Sequence, residues 1–136
     1  MTFDPAAAGW EPYTDEGFIG LVGPFWHRQS GDTHLYAFTA EQKHHNRRGV
    51  VQGGMLMTFA DRCMGMTCWY ANGQRPQATV QLDVQFVDAV QIKEFVEAKC
   101  QVVRRTRALV FMRGEFVVGD RVVATANGIW KTLGAN

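Results

Sequence analysis

Asp61 is the one carboxylate in the most apolar stretch of the chain, which runs from Gly53 to Tyr70. If this stretch is a helix, nearly every face of it is apolar, and such a helix is normally enclosed by protein. An ionised carboxylate buried there costs free energy unless it has a partner, and such groups are often kept for chemistry. No basic residue of the helix faces Asp61, because the adjacent Arg62 points to another side. These surroundings suit a general base, although a structural acid hydrogen-bonded to neighbouring strands remains an alternative.

Gly53 and Gly54 open the predicted helix without side chains. The first N–H groups of a helix have no internal partner, and the positive end of the helix dipole lies beside them. Without a Cβ in the way, a ligand oxygen can approach these amides closely, which would make an anion or oxyanion site. A tight turn from strand to helix would also explain the two glycines, and the sequence leaves both explanations open.

The spacing between these two features decides how they could act together. Asp61 follows Gly53 by eight residues, which is about 12 Å along a helix that rises about 1.5 Å per residue. A general base must lie within about 3 Å of the group on which it acts. One helix therefore cannot bring its own first amide and its own carboxylate to a single carbonyl carbon. A two-fold dimer can, if the helix start of one subunit faces Asp61 of the partner subunit.

Alternation of polar and apolar residues indicates strands on both sides of this helix. Before it, a helical turn is expected over 17–21, and strands are expected from Phe25 onward and over 33–39. After it, a meander of four strands is expected over 79–87, 95–103, 109–118 and 121–131. Strict alternation in the strand over 79–87 would place four apolar residues on one face of the sheet: Val80, Leu82, Val84 and Phe86. The pattern predicts an α+β domain in which a five- or six-stranded antiparallel sheet wraps one long central helix.

Composition narrows the class of protein. The chain has 136 residues and a formal net charge of +1, which fits a globular domain and argues against a dedicated nucleic-acid binder. Residues 1–16 are expected to form a loosely attached N-terminal arm, and residues 17–136 a single domain. Asp61, Arg62 and three glycines argue against a membrane span. The first residues carry no secretory signal, so we expect a cytoplasmic protein.

Cysteine and histidine positions argue against a disulfide framework and a metal site. The chain has three cysteines, and an odd number does not suit a disulfide framework. Cys63 and Cys68 fall in the predicted buried helix and indicate reduced core thiols. His44 and His45 are adjacent, and neighbouring side chains of an extended segment point apart, so we expect no metal site.

The order of several residues then points to a family: Asn46, Gly49, Gln52-Gly53-Gly54 and Asp61. In this order and spacing the chain resembles the hotdog-fold thioesterase superfamily. Within it, the chain is most similar to the branch typified by the phenylacetic-acid-degradation (PaaI-like) acyl-CoA thioesterases. The resemblance covers about residues 17 to 133 and includes the long strand after the helix and the closing segment Asn127-Gly128-Ile129-Trp130.

The resemblance implies a homodimeric acyl-CoA thioesterase without metal or redox cofactor, in which CoA enters as part of the substrate. Pairing of dimers into tetramers stays open. The Gly53 amide would polarise the thioester carbonyl with help from the Asn46 side chain, and Asp61 of the partner subunit would activate water or attack directly. Thr79 matches a position where members often place a hydroxyl that orients the water or the acid. Strand propensity explains a threonine there equally well.

Two departures from the family pattern bear on the substrate, whose surroundings would include Gln52 and Gly54. Gln52 stands where most of this branch has histidine, and glutamine cannot carry a proton at pH 7. Asp88-Ala89 replaces an Arg-Pro often found at the end of the long strand, and an acid beside CoA phosphates would be unfavourable. A strand turn carries three cations that could meet those phosphates, although a solvated hairpin tip accounts for them as well: Arg104, Arg105 and Arg107.

Two other functions stay open on the sequence. A non-catalytic acyl-CoA-binding hotdog protein would keep the pocket without turnover, which Asn46 and Asp61 argue against and Gln52 and Asp88 weakly favour. A hotdog dehydratase would use a histidine with an acid near the helix, and the predicted helix contains no histidine. General-base and covalent anhydride chemistry are both compatible with Asp61.

Overall fold

A computed structural model describes residues 3–134 of the chain. Within these residues the α-helices are α1 (Phe18–Val22) and α2 (Gly53–Ala71), and short 3-10 helices span Ala6–Ala8 and Gln42–His44. The strands are β1 (Glu11–Tyr13), β2 (Phe25–Ser30), β3 (Thr33–Thr39), β4 (Gln77–Phe86), β5 (Phe95–Arg105), β6 (Leu109–Val118) and β7 (Arg121–Thr132). The predicted α+β hotdog arrangement, one long helix wrapped by an antiparallel sheet, is confirmed. The described sheet has seven strands, more than the five or six expected.

The order of strands across the sheet is β1-β2-β3-β5-β6-β7-β4. Strands β5, β6 and β7 form a meander, but β4 pairs with β7 and not with β5. The expected meander of four consecutive strands is therefore wrong. As a result, β4 lies at an edge of the sheet, and one of its two sides is unpaired within residues 3–134.

Helix α2 buries one side against the sheet. Phe59 is fully buried, and its ring lies between 4.7 and 5.7 Å from the rings of Phe25, Phe38 and Phe116. Such aromatic pairs add to the stabilisation that burial itself provides. The other buried residues of the helix are Met55, Leu56, Ala60, Cys63, Met64, Gly65 and Cys68.

The opposite side of α2 is open to solvent. Met57 and Asp61 are exposed there, and the enclosure expected for this helix would need a second subunit on this side, which stays a prediction. The sheet, as described over residues 3–134, covers one side of the helix and only part of the other. Within residues 3–134, neither helix has the combination of length and apolar character needed to cross a membrane.

The described part of the N-terminal segment is packed onto the domain rather than loosely attached. Trp10 is 4% exposed, and its ring meets that of Phe95 edge-on at 5.3 Å. The Arg28 guanidinium lies over the same indole at 5.2 Å, and β1 pairs with β2 along its whole length. One buried indole thus anchors a segment whose composition predicted an arm. Residues 1 and 2 lie outside the described range, and the division into arm and domain stays a prediction.

A β-bulge in β4 determines which residues of this strand face the helix. Thr79 pairs with Trp130 and the next paired position is Gln81, so Val80 is an extra residue in the ladder. Strict alternation would put Thr79 and Leu82 on opposite faces, whereas one extra residue brings both to the helix side. Val80 is 58% exposed. It therefore does not share the face of the apolar residues that follow it, which corrects the expected alternation.

The three cysteines are free thiols within the core or at its margin. Cys63 and Cys68 are fully buried, and Cys100 is partly buried. Burial raises the pKa of Cys68 to about 11 and that of Cys100 to about 12. Burial also holds the pKa of Cys63 well above its usual range. The folded chain therefore keeps these thiols protonated at a pH where the unfolded chain would ionise them.

The free energy of unfolding should consequently fall as the pH rises above about 8.5, the ordinary pKa of a thiol. Raised pKa values in the folded state stabilise it fully below that pH, and the stabilisation is lost as the pH rises toward the folded values. We expect a loss of about 1 kcal/mol per thiol between pH 7.5 and 9.5. Urea unfolding under reducing conditions measures it. The variant with Cys63→Ala, Cys68→Ala and Cys100→Ala should show a flatter dependence; an unchanged slope would contradict the assignment.

Candidate active site

The start of α2 presents two backbone amides without partners. Gln52 precedes the helix, and its side chain makes no capping hydrogen bond. Its carbonyl accepts from Met55 N at 2.9 Å and from Leu56 N at 3.4 Å. The N–H groups of Gly53 and Gly54 donate to no atom of residues 3–134. These free donors lie at the positive end of a 19-residue helix, where an anion is stabilised.

Asn46 shapes the loop that leads into this helix. Its side-chain oxygen accepts from the backbone N–H of Arg48 at 2.8 Å and of Val50 at 3.3 Å. Its own N–H donates to the Val50 carbonyl at 2.7 Å. The side-chain Nδ2 donates to no atom in the described part of the chain. Asn46 therefore holds the loop through its oxygen and leaves its Nδ2 without a partner among residues 3–134.

A cleft of about 340 Å³ lies next to the helix start. Gln52 and Gly54 line it, as the sequence predicted for the surroundings of a substrate. Its other lining residues come from α1, the Gln42–His44 helix with the residue that follows it, and the first turns of α2: Phe18, Val22, Lys43, His44, His45, Met55 and Thr58. The cleft thus combines amide donors with apolar walls.

The adjacent histidines have different surroundings. His44 is buried, its Nε2 donates to the Val22 carbonyl at 2.7 Å, and its Nδ1 accepts from Glu41 N at 2.9 Å. Burial lowers its pKa, so the neutral ring holds α1 against the loop. His45 is exposed, and its Nδ1 donates to the Asn46 carbonyl at 2.8 Å. Both nitrogens of His44 are occupied, and the ring has no free nitrogen for a metal.

Asp61 and Thr79 form a second feature further along the helix. Thr79 Oγ1 donates to Asp61 Oδ1 at 2.7 Å, a contact that the β4 bulge makes geometrically available. The Asp61 side chain is exposed in the single chain, so its expected burial depends on a second subunit and stays a prediction. It opens into a cleft of about 340 Å³ whose other walls include Trp69, Gln77 and Trp130.

The carboxylate of Asp61 has no cationic partner within residues 3–134. Arg62, the next residue, forms an ion pair with Asp15. The Arg62 guanidinium also lies over the Tyr13 ring at 5.8 Å. Arg62 thus pairs with Asp15 and not with Asp61, and it lines the same cleft as Asp61. A carboxylate that carries one hydroxyl donor and no counter-ion is free to accept a proton from a water molecule.

The two clefts have no lining residue in common. Gly53 belongs to the helix start, where the ring of Phe86 lies so close that a Cβ on Gly53 would come within 3.2 Å of it. Asp61 lies two turns further along α2. A single chain thus presents free amide donors and a carboxylate at two separate places on α2.

The three arginines predicted to cluster at the strand turn do not all line the same cleft. Arg105 and Arg107 line one cleft of about 240 Å³ together with Arg75, which the sequence analysis did not single out. Arg105 Nη1 donates to the Ala71 carbonyl at 2.5 Å, at the end of α2. Arg104 precedes them on β5 and does not line this cleft, and a role of the three in substrate binding stays a prediction.

Comparison with known proteins decides the family. Residues 48–125 match the sequence model of the thioesterase superfamily, which is more than half of the chain. The chain belongs to the thioesterase superfamily. The matched segment contains Gly53, Asp61 and Thr79, and Asn46 lies just before it.

Three proteins illustrate what this thioesterase-superfamily chain is similar to. It is 28% identical over 125 residues to "Putative esterase PA0474" of Pseudomonas aeruginosa, covering 90% of this chain and 93% of that protein. The E. coli PaaI protein from the phenylacetic acid degradation operon is 19% identical with a TM-score of 0.69, covering 97% of this chain and 85% of that chain. A Streptococcus pneumoniae hypothetical thioesterase solved with coenzyme A is 18% identical with a TM-score of 0.74, covering 82% and 88%. The resemblance to the thioesterase superfamily is confirmed, and the two solved structures show the same fold.

Sequence reasoning missed polar residues that hold the candidate site in place, because they belong to no motif. Gln77 Nε2 donates to the Gly65 carbonyl at 2.7 Å, and its Oε1 accepts from Asn72 Nδ2 at 2.9 Å. These bonds fix the start of β4 against α2 and so position Thr79. A polar residue two positions before Thr79, where alternation puts both on one face, was the available signal.

Asn46 offers a test of the loop geometry. In Asn46→Ala, the amides of Arg48 and Val50 lose their acceptor, so their hydrogen exchange should accelerate by about tenfold, the effect of one lost hydrogen bond. In Asn46→Asp, a carboxylate oxygen keeps the acceptor, and exchange at both amides should stay slow. Amide hydrogen exchange measured by NMR distinguishes the two variants. Equal protection in both would show that the Asn46 side chain does not hold the loop.

Proposed function

We propose that this member of the thioesterase superfamily hydrolyses acyl-CoA thioesters at two equivalent sites, each formed across a two-fold dimer. The observation that carries the proposal is the division of the site within one chain. Free amides lie at the start of α2, a threonine-supported carboxylate lies about 12 Å further along it, and neither half is complete alone. A second copy related by a two-fold axis would bring each half to the missing half of the other.

Strand β4 is the surface that favours such a dimer. It is a ten-residue edge strand with no basic residue and no proline, two of the features by which edge strands avoid pairing. The bulge at Val80 lies near its start and leaves the segment from Gln81 to Phe86 regular. Val80, Phe86 and the following Val87 are between 53% and 58% exposed. Antiparallel pairing of β4 with the β4 of a second copy would continue the sheet and cover these apolar side chains. It would also cover part of the open side of α2.

The geometry supports the following reaction. The amides of Gly53 and Gly54 and the free Nδ2 of Asn46 donate to the thioester oxygen as it becomes an oxyanion. Asp61 of the partner subunit takes a proton from water, whose oxygen attacks the carbonyl carbon. The tetrahedral intermediate collapses, the C–S bond breaks, and the thiolate of CoA leaves and takes up the proton. The Thr79 hydroxyl orients the carboxylate throughout.

Because Gln52 replaces the family histidine, Asp61 is the residue that transfers the proton in the proposed reaction. The glutamine amide can hydrogen-bond to the substrate at the helix start but carries no proton at neutral pH. In the general-base route, Asp61 then handles the proton in both steps. In the anhydride route, its oxygen attacks the carbonyl carbon directly, and water opens the anhydride afterwards. The apolar walls of the cleft at the helix start, which include Phe18 and Val22, favour an apolar acyl group.

Two relatives support the choice of chemistry. The Pseudomonas relative carries the name of an esterase, and the Streptococcus structure contains coenzyme A. The alternative of a non-catalytic acyl-CoA-binding protein rests on Gln52, which removes the family imidazole. It leaves unexplained why Thr79 and Asp61 form a hydrogen-bonded pair that opens into a cleft.

Substitution of Asp61 tests the activity. Asp61→Asn keeps the shape and removes the base, so kcat for thioester hydrolysis should fall by about 10²- to 10⁴-fold. Thr79→Val should lower kcat by about tenfold, because it removes one hydrogen bond to a charged group. Release of the CoA thiol from a panel of acyl-CoAs is the measurement.

The matched control is Asp120→Asn, in the exposed turn between β6 and β7, which should leave kcat unchanged. Turnover that persists in Asp61→Asn would contradict the assigned base. Acyl-CoA binding by the wild type without thiol release from any member of the panel would favour the binding protein instead.

The dimer has its own test. Val80→Lys places a charge on the exposed bulge of β4, so the chain should become monomeric in analytical ultracentrifugation and lose thiol release together with the dimer. Leu133→Lys, at a residue that is 44% exposed just past β7, should change neither. A monomeric Val80→Lys variant with full activity would show that each chain holds a complete site.

A further inference from the structure

We propose that the indole N–H of Trp130 and the second carboxylate oxygen of Asp61 together hold the water molecule that attacks the thioester carbon. Both residues line the cleft of about 340 Å³ into which Asp61 opens, called the Asp61 cleft below, together with Gly65, Gln77 and Thr79. Trp130 would thus position the attacking water. The inference rests on the proposed function and deepens it, because a water held in this way reacts by the general-base route.

The Trp130 N–H is a donor without a partner in the described part of the chain. Buried tryptophans commonly form a hydrogen bond through Nε1. Trp130 is only 2% exposed, yet its Nε1 donates to no atom of residues 3–134. It is also not among the fully enclosed polar atoms that lack a partner there, which are Tyr13 Oη, Tyr36 Oη and Arg62 Nε. The N–H therefore opens into the Asp61 cleft.

Two glycines fix the orientation of the indole ring. A Cβ on Gly65 of α2 would lie 3.3 Å from Trp130 Nε1, and a Cβ on Gly128 of β7 would lie 2.5 Å from Cζ3 at the other end of the ring. Glycine inside a helix destabilises it relative to alanine, and the close approach of the indole explains why Gly65 is tolerated. The ring is thus held with its benzene part over the strand and its N–H toward α2.

The neighbouring side chain of Gln77 presents a donor to this N–H rather than an acceptor. Gln77 Nε2 would lie 3.6 Å from the same Cβ position on Gly65, and it donates to the Gly65 carbonyl at 2.7 Å. The Gln77 Oε1 atom already accepts from Asn72 Nδ2 at 2.9 Å. We therefore assign the partner of the Trp130 N–H to a small molecule in the cleft.

The free oxygen of Asp61 lies on the same side of the helix. Thr79, which pairs with Trp130 across the ladder, donates to Asp61 Oδ1 at 2.7 Å. Asp61 Oδ2 accepts from no donor of residues 3–134. Gly65 follows Asp61 by one turn, and side chains so spaced have Cβ atoms about 5–6 Å apart. Hydrogen bonds of about 3 Å on each side let one small molecule bridge the N–H and Oδ2.

The chemistry of the two atoms selects the bridging molecule. An indole nitrogen only donates a hydrogen bond, and an ionised carboxylate only accepts one. An atom bonded to both must accept from Trp130 and donate to Asp61, which an O–H group does. The oxygen and the sulfur of a thioester carry no hydrogen and cannot take this place. Water fits, and it is the second reactant of thioester hydrolysis.

A water held by these two bonds is ready to react. One of its lone pairs accepts from Trp130 and one of its O–H bonds points to Asp61, so the second lone pair is free for the carbonyl carbon. Asp61 Oδ2 takes that proton as the water oxygen bonds to the carbon. The C–S bond then breaks, and the leaving thiolate takes the proton from Asp61. Trp130 keeps its own proton throughout.

Replacement of Trp130 by β-(3-benzothienyl)alanine tests the N–H alone, because sulfur takes the place of the N–H while the ring keeps its shape. The kcat for thioester hydrolysis should fall by about tenfold, the effect of one lost hydrogen bond, and KM should not change. The same replacement of Trp26, a residue of β2 that lines neither cleft of the site, is the matched control and should alter neither constant.

Gly65→Ala reaches the same N–H from the helix side and leaves the indole in place. Its methyl group would lie against Nε1 and cover the donor, so kcat should again fall by about tenfold with an unchanged KM. Circular dichroism checks that the variant is folded. An unchanged kcat in the folded Gly65→Ala and benzothienyl variants would overturn the proposal. A higher KM with an unchanged kcat would also overturn it, because the N–H would then bind substrate rather than the attacking water.

A crystal structure of the wild type tests the water site without turnover. A water within about 3.2 Å of both Trp130 Nε1 and Asp61 Oδ2 supports the proposal, and the absence of such a water at high resolution overturns it. If the wild type releases no thiol from any acyl-CoA, the proposed function fails, and the crystal structure still decides whether the two residues hold a water.

Discussion

The rise of an α-helix is the constraint on which the proposed site depends. Gly53 and Asp61 belong to one continuous helix, so their separation cannot be shortened by side-chain motion or by a loop rearrangement. A base and an oxyanion site that are needed at one carbonyl carbon must then come from two helices. The two-fold arrangement is the simplest way to supply the second helix, and it makes the open side of α2 a functional surface rather than a defect in packing.

Strand β4 connects the two parts of the proposed site. It lies at the edge of the sheet because the chain crosses from β4 to β5 and closes the sheet with β7. Near its start, Thr79 supports Asp61, and near its end, Phe86 packs on Gly53. The same strand therefore contacts both half-sites of its own chain. The bulge at Val80 lets these contacts coexist, since without it Thr79 and Phe86 would face opposite sides of the sheet.

Much of the fold could be predicted from the sequence, because its signals are local. The bounds of α2, β3 and β6 follow from periodicity and from glycine and proline stop signals. Three features could not be predicted, for physical reasons. The position of β4 beside β7 is set by pairing between strands that are distant in the sequence. The face on which Thr79 lies is set by one bulged residue. The anchoring of residues 3–16 is set by a single indole. The exposure of Asp61 in a single chain could not be predicted either, because the apolar composition of a helix does not say how much of it one sheet covers. Arg75 was overlooked because it is far in sequence from the hairpin that it meets.

The position of Phe86 over Gly53 has a consequence for how two sites of a dimer would communicate. If two copies of β4 pair, the strand that supports the carboxylate of one site also lies against the oxyanion amides of the other. Any sliding of one β4 along its copy would displace both sites at once and by equal amounts. The two sites would then be aligned or misaligned only together, with the paired strands acting as a shared alignment element. The two sites would thus be equally active because one pair of strands positions both of them. No conformational change would need to pass from one site to the other.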